Sequence, residues 1–466
     1  MSKMLEQYLS RYGEIELNRL EPIKPHLTHY QRVVTIPLFD ESLLVFERLQ
    51  AIDDKQTVLI IACINVPSPY TGQAIAIDNT RALLTTIWQQ YHCLLTSQNL
   101  SFGIINDHRH LLIVDRASPG REIPKHQGVG LARKIIVDLA CLLIYEGYVH
   151  HPWIYISDAD VLFPDDYFSS PENDRHPSTS HRSNLLSVKN QQEISAYLFA
   201  YRHISEQENE SKLMAYYELT LHYYVWGLTF ANSPYAFHTL GSTLIIHYMA
   251  YAKVRGFPKR NGGEDFYLLN KLAKVGRIIQ RRQPYLEIEA RFSQRAPFGT
   301  GVSLLKLHQM QDPDRDYAYL PLAGFSYLRL FLLGLMQMDH TNCGSTQSFN
   351  GFFAQLCQDH QFHPKPLIAA LTQINAAPRL KQIAAKSASF ELFHRQALGW
   401  FDAFKTLKFL HILRDDFLGS QTIAQMSRSP LATPLSMPPS FNPPLPKASM
   451  MDLSSPQQLL KEIRQF

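Results

Sequence analysis

Unbroken apolar runs and one-sided helical stripes alternate over the first part of the chain. Arg32 to Phe39 (RVVTIPLF) is a run of the first kind and predicts a buried strand; the residues after it place Leu43, Leu44, Phe46 and Leu49 on one helical face. Val58 to Val66 predicts a second strand, closed by the breakers Pro67-Ser68-Pro69. A helix follows over Asn79 to Tyr91, then a third strand over His110 to Asp115. Gly128-Val129-Gly130 opens a helix that keeps Ile135, Ile136, Leu139, Leu142 and Leu143 in helical period, and Trp153 to Ser157 is the fourth strand. Strand-helix alternation of this kind marks an α/β domain with a largely parallel sheet.

Polar, breaker-rich stretches at Ser169 to Asn184 and Ser205 to Ser211 flank one more apolar strand, Ile194 to Tyr201. From Val302 to Met426 the pattern becomes helix after helix, which predicts a separate helical lobe. Met437 to Pro446 carries five prolines and reads as an extended linker. It leads to a last helix begun by Ser455-Pro456, with Leu459, Leu460 and Ile463 as its docking stripe. The expected organisation is a polar helical lead-in over 1–30, an α/β domain over 31–301, the helical lobe over 302–430, and linker plus terminal helix over 431–466.

Composition narrows the classes. Of 466 residues 45% are hydrophobic and 18% charged, which excludes a disordered chain or a charged coiled coil. Lys plus Arg is 45 against 41 for Asp plus Glu; a formal charge of +4 is too small to nominate a nucleic-acid partner. The five cysteines are odd in number, widely spaced and mostly within apolar runs, and they predict reduced buried thiols. The N-terminal residues lack the apolar core of a secretory signal. The most membrane-like stretch, Tyr319 to Met338, contains Arg329, so no transmembrane span is expected. A cytoplasmic protein is the expectation, with peripheral contact at the inner membrane face left open.

Three local patterns carry chemistry. Asp158-Ala159-Asp160 follows directly on the strand WIYIS, where open α/β sheets bind ligands; two like charges there are reconciled by a divalent cation shared with a diphosphate. A turn with a helix-capping carboxylate explains the same residues without function. Asn261-Gly262-Gly263-Glu264-Asp265 has glycines that admit a ligand and an acidic pair opening a helix, though helix N-termini favour acidic residues anyway. His126 to Lys134 (HQGVGLARK) sets glycines at a helix N-terminus with Arg133 in the first turns, a pattern suited to a phosphate and also to plain helix packing. His108, His110, His150 and His151 are of a type that ligates metal, but they read better as solvated loop residues.

Together and in this order the motifs resemble the family 2 type glycosyltransferases of the GT-A fold, over residues 31 to 300. IPLFDES (Ile36 to Ser42), GVGLARK, YISDADVLFPDDYF and LGSTLIIHYMAYAKVRGFPKRNGGEDFYLLNKLAKVG carry the resemblance. Asp40 stands where Asn is commoner, Asn65 where Asp is usual, and Lys134 where many members have Asn. The resemblance implies a Rossmann-like, mostly parallel sheet flanked by helices, a nucleotide-diphosphate sugar donor linked to UDP or GDP, and Mn²⁺ or Mg²⁺. It places Asp160 and Asp158 at the metal, and Pro37, Asp40, Glu41 and Asn65 at the nucleoside. Arg133 falls on the phosphate side, Gly241 and Ser242 at the sugar or acceptor pocket, and Asp265 with Glu264 at the reacting hydroxyl. The acceptor is a glycan, lipid or small molecule, and Asp265 as general base implies inversion.

Other classes fit less well. A haloacid dehalogenase type phosphatase needs Thr or Val where Leu162 stands, and its acidic motif belongs on the first strand. A nucleotidyltransferase wants a Gly-rich loop with Arg and Lys that IPLFDES lacks. A non-catalytic glycan- or nucleotide-binding protein on the same fold, or a retaining GT-A transferase, remain the alternatives.

Overall fold

The computed structural model describes residues 2–70, 72, 74–173, 193–290, 299–338, 344–426 and 456–464. Its strands are β1 (Arg32–Leu38), β2 (Val58–Asn65), β3 (Pro67–Ser68), β4 (His92–Ser97), β5 (Leu100–Asn106), β6 (Arg109–Arg116), β7 (Ile123–Pro124), β8 (Trp153–Ile156), β9 (Val161–Leu162), β10 (Ile194–Ile204), β11 (Leu244–His247) and β12 (Arg277–Glu289). The helices among them are α1 (Ser2–Tyr12), α2 (Leu44–Gln50), α3 (Ala74–Gln90), α4 (Gly128–Tyr145), α5 (Glu208–Phe230), α6 (Tyr248–Lys253) and α7 (Glu264–Leu272). Among the described residues thereafter the named elements are helices: α8 (Thr300–His308), α9 (Pro313–Asp316), α10 (Leu322–Gln337), α11 (Thr346–Asp359), α12 (Pro364–Gln373), α13 (Ala376–Lys386), α14 (Phe390–Trp400), α15 (Ala403–Leu413), α16 (Ile423–Met426) and α17 (Pro456–Ile463).

Two compact units emerge, and they interleave along the chain. The first comprises 1–178, 193–205 and 239–302 and contains every strand above. Ten of them form one sheet in the order β4-β5-β6-β2-β1-β8-β11-β10-β12-β9. Its centre, β6-β2-β1-β8, is parallel, and every residue of β2 is buried, which is why that strand reads as a continuous apolar run. The sheet is more mixed than the alternation predicts. β4 and β5 form an antiparallel hairpin turned by Gln98 and Asn99, and β11 runs antiparallel to both β8 and β10. The two-residue turn carries no Gly, and Gln98 takes a positive φ of 55°, so the hairpin lacked its usual sequence signal.

α4 lies against β1 and β2 and is buried almost all round. The lead-in is helical only at α1, with short 3₁₀ turns at Ile15–Arg19 and Lys24–His26. α1 is fastened to α4 through buried Asp138, whose carboxylate accepts the Tyr8 hydroxyl (2.5 Å), the Tyr251 hydroxyl (3.0 Å) and Lys134 Nζ (2.7 Å). Burial raises the Asp138 pKa, and Lys134 opposes that rise. Lys134 is thus spent on this internal ion pair.

The second unit holds 206–238 and the helices after 302, so α5, which lies within the α/β stretch of the sequence, packs with the helical elements. α10 is its central helix, in contact with α5, α11, α14 and α15, and Phe331, Phe353, Phe401 and Phe409 interlock around it. Arg329 is buried in α10 over the Phe230 ring and donates to the Phe230 carbonyl, which explains a charge inside an apolar run. No described helix is long and apolar enough to cross a membrane. α17 lies along α5 with Leu460 and Ile463 buried; the linker Met437–Pro446 and the Leu459 side chain fall outside the described residues. Cys63, Cys141 and Cys357 are buried free thiols and Cys93 is half-buried, while Cys343 lies outside the described residues.

Candidate active site

The parallel strands β1, β2 and β8 end on one edge of the sheet, and a cavity of about 340 Å³ opens there. Pro37 and Phe39 at the end of β1, Asn65 at the end of β2, and Asp158 to Asp160 after β8 line it, together with Glu41. The carboxyl ends of parallel strands form a crevice because the crossover chains leave in diverging directions. The first residues of α4 (Gly128, Val129) and the first turn of α8 (Thr300 to Val302) also border the cavity. Helix starts present backbone N–H groups and positive dipole ends, which favour an anion.

Arg133 is the hub. Its Nη2 donates to Asp158 Oδ1 (2.7 Å), its Nε to Glu264 Oε1 (3.0 Å) and its Nη1 to the Gly241 carbonyl (3.3 Å). Burial works against its charge, but the carboxylates of Asp158, Glu264 and Asp265 more than offset this, and the net shift of its pKa is upward. One guanidinium therefore joins the acidic turn after β8 to the acidic pair that opens α7.

α7 is placed by its glycines. Gly263, at the N-cap, has a left-handed φ of 67°, which a Cβ would strain. Glu264 is buried beside Arg133, and burial raises its pKa while Arg133 pulls it down. Asp265 is half-buried, and its Oδ1 accepts the Phe266 N–H (2.7 Å). Burial, then the charge of Glu264, pushes the Asp265 pKa up to about 7.

No protein-family model matches the chain, and no curated protein matches it either. The geometry accordingly carries the functional argument.

Of the residues singled out in the sequence, Pro37, Glu41, Asn65, Arg133, Asp158, Asp160 and Glu264 share this one cavity. The others sit apart from its lining. Asp40 has a φ of 54°, and is drawn towards α3, where its N–H donates to Thr80 Oγ1 and its Oδ1 accepts from Asn79. Gly241 and Ser242 are buried behind Arg133; a Cβ on Gly241 would come within 2.5 Å of Arg133 Nη2. Asp265 stands next to the wall that Glu264 forms. Arg133, placed on the phosphate side by the resemblance, directs its donors at Asp158, Glu264 and the Gly241 carbonyl.

The donor set can be weighed against a cation. Asp158 and Asp160 offer hard carboxylate oxygens, and the Asp158 side chain stays about one-third exposed despite its bond to Arg133. Among the described residues no group of three or more His, Cys, Asp or Glu surrounds a common point. Mg²⁺ or Mn²⁺ fits, since Mg²⁺ takes one or two carboxylates and fills its shell with water and substrate phosphates.

Sequence reasoning missed Ile288, Glu289 and Thr300 to Val302, all in the lining, and gave Asn261, the first residue of its motif, no role of its own. Glu289 reaches the site because β12 pairs with β9 and its N–H donates to the Asp160 carbonyl (2.8 Å), a register no local pattern announces.

Proposed function

We propose that the chain is a metal-dependent glycosyltransferase of family 2 type on a GT-A fold, moving a sugar from a UDP- or GDP-linked donor to an acceptor hydroxyl with inversion. The observation that carries this reading is the meeting of Asp158 and Glu264 on the buried Arg133 guanidinium, in a cavity that also contains Asp160, Glu41 and Asn65. The lining combines polar groups at the ends of β1 and β2, helix starts that favour an anion and a carboxylate pair, which together suit a nucleoside diphosphate sugar.

Asp160 and Asp158 would hold the cation, which when bound neutralises the departing diphosphate. Asn65 supports the nucleoside assignment: it is buried, and its Oδ1 has no hydrogen-bond partner, so a ligand donor completes it. Glu264, tied to Arg133, orients the start of α7. Asp265 takes the acceptor proton: as the O–H bond breaks, the oxygen bonds the anomeric carbon, and the bond from that carbon to the phosphate oxygen breaks with its electron pair leaving on the nucleoside diphosphate. A carboxylate titrating at about 7 is matched to this task, being basic enough to accept a proton yet ionised near neutrality. Its place beside the donor cavity suits an acceptor arriving from outside.

A thermal-shift panel of UDP, GDP, CDP and ADP with and without Mn²⁺ tests the reading. Stabilisation by one of them that grows with Mn²⁺ is expected, followed by product analysis with the matching sugar donors. No stabilisation by any nucleotide, with or without Mn²⁺, would contradict it.

A further inference from the structure

We propose that Arg48 is a positioning residue that holds the Asp158–Asp160 turn in the shape that binds cation and diphosphate. The proposal rests on the transferase reading above. Arg48 projects from α2, and its side chain is only 15% exposed. Its Nη1 donates to the carbonyls of Ala159 (3.3 Å) and Val161 (3.4 Å), and its Nη2 to Glu289 Oε1 (2.5 Å). The carbonyl between those two, that of Asp160, accepts the Glu289 N–H at 2.8 Å. Three consecutive carbonyls, 159 to 161, are therefore fixed by one arginine and the one residue it pairs with.

The local fold explains the need. β9, which follows the turn, is two residues long and meets β12 through two residue pairs, Leu162 with Glu287 and Val161 with Ile288. So short a ladder leaves the turn that carries Asp158 and Asp160 to be held largely by other contacts. A guanidinium supplies several donors in one plane, so it can hold two carbonyls and a carboxylate together; an ammonium has no such fork. Arg48 also joins α2, which follows the segment Pro37 to Glu41, to Glu289, another residue of the cavity lining. Residues that orient metal ligands from behind commonly govern affinity by about 10–100-fold.

Three proteins, wild type, Arg48→Met and Glu289→Gln, are titrated by calorimetry with UDP and GDP, each with and without Mn²⁺, and amide exchange is followed across residues 158–162. Arg48→Met is expected to lower Mn²⁺-dependent nucleotide affinity by about tenfold or more while metal-free nucleotide binding stays unchanged, with faster exchange at Asp160 to Leu162. Glu289→Gln, which leaves Arg48 on its two carbonyls, should lose less. Wild-type metal dependence in Arg48→Met overturns the proposal, as does an equal loss with and without metal, which is the mark of a merely structural role. If wild type binds neither nucleotide with Mn²⁺, it is the transferase reading that fails. The clasp is then judged by exchange alone: unchanged protection of residues 160–162 in Arg48→Met refutes it, and faster exchange upholds it.

Discussion

Asp265 and Glu264 adjoin in sequence and differ in what surrounds them. Glu264 is hydrogen-bonded to Arg133, whereas at Asp265 burial and the charge of Glu264 outweigh the pull of Arg133 and of the Phe266 N–H, so its folded pKa lies well above the unfolded carboxylate value of about 4. A carboxyl shifted upward stabilises the fold when protonated, and that contribution is lost as pH rises through about 7. Asp265→Asn never ionises. Its melting temperature should gain on wild type between about pH 5 and pH 8, and an even gap across that range would deny Asp265 its raised pKa. In turnover, the same variant should lose about 10²–10⁴-fold in kcat with donor Kd little changed; near-normal kcat would remove the inverting mechanism. The acidic motifs were legible from sequence because each sits beside an apolar strand or helix start. That Arg133 holds both of them was not legible, since its partners lie 25 and 131 residues away along the chain.

The start of α4 shows how elements place the site. Gly130 donates its N–H to the Arg260 carbonyl at 3.0 Å, and a Cβ there would lie 2.4 Å from the Pro258 carbonyl and 2.6 Å from the Arg260 nitrogen. Those obstacles are backbone and cannot swing aside. Gly130→Ala should therefore cost about 1–3 kcal/mol in denaturant melts and disturb the segment that leads to α7; a stability equal to wild type would show that this approach is not tight. The glycines of GVG read equally as packing or as a phosphate loop, and in the structure Gly130 serves packing while Gly128 borders the cavity. α17 is a second case. Its stripe was legible, but its partner was not: α17 lies on α5, with Arg464 paired to the buried Glu218. Arg464→Ala should speed amide exchange in α17 selectively, and uniform exchange across the helices of that unit would count against this pairing as its anchor.

Across the full chain, the alternation of strands and helices made the α/β class and the later helical region legible, because periodicity is local. The interleaving was invisible to it. α5 follows β10 and precedes β11, yet it packs with α10 and α17, and a Cβ on Gly227 would meet the Phe325 ring of α10 at 2.5 Å. A chain ending at residue 302 keeps α5 but lacks α10 and α17, leaving Tyr223 and Tyr224 without the Phe325 ring they pack against. It should aggregate in size-exclusion chromatography, whereas a chain also lacking 206–238, bridged by a short Gly-Ser linker, should be more soluble; equal behaviour of the two would contradict the division into these units. The reading as a transferase depends most directly on Asp160. Isothermal titration of wild type and Asp160→Asn with UDP and GDP, at fixed Mn²⁺, isolates it. The account predicts Mn²⁺-dependent binding of one nucleotide by wild type and its loss in a variant that melts normally; binding of nucleotide and Mn²⁺ by Asp160→Asn as tight as by wild type would contradict it.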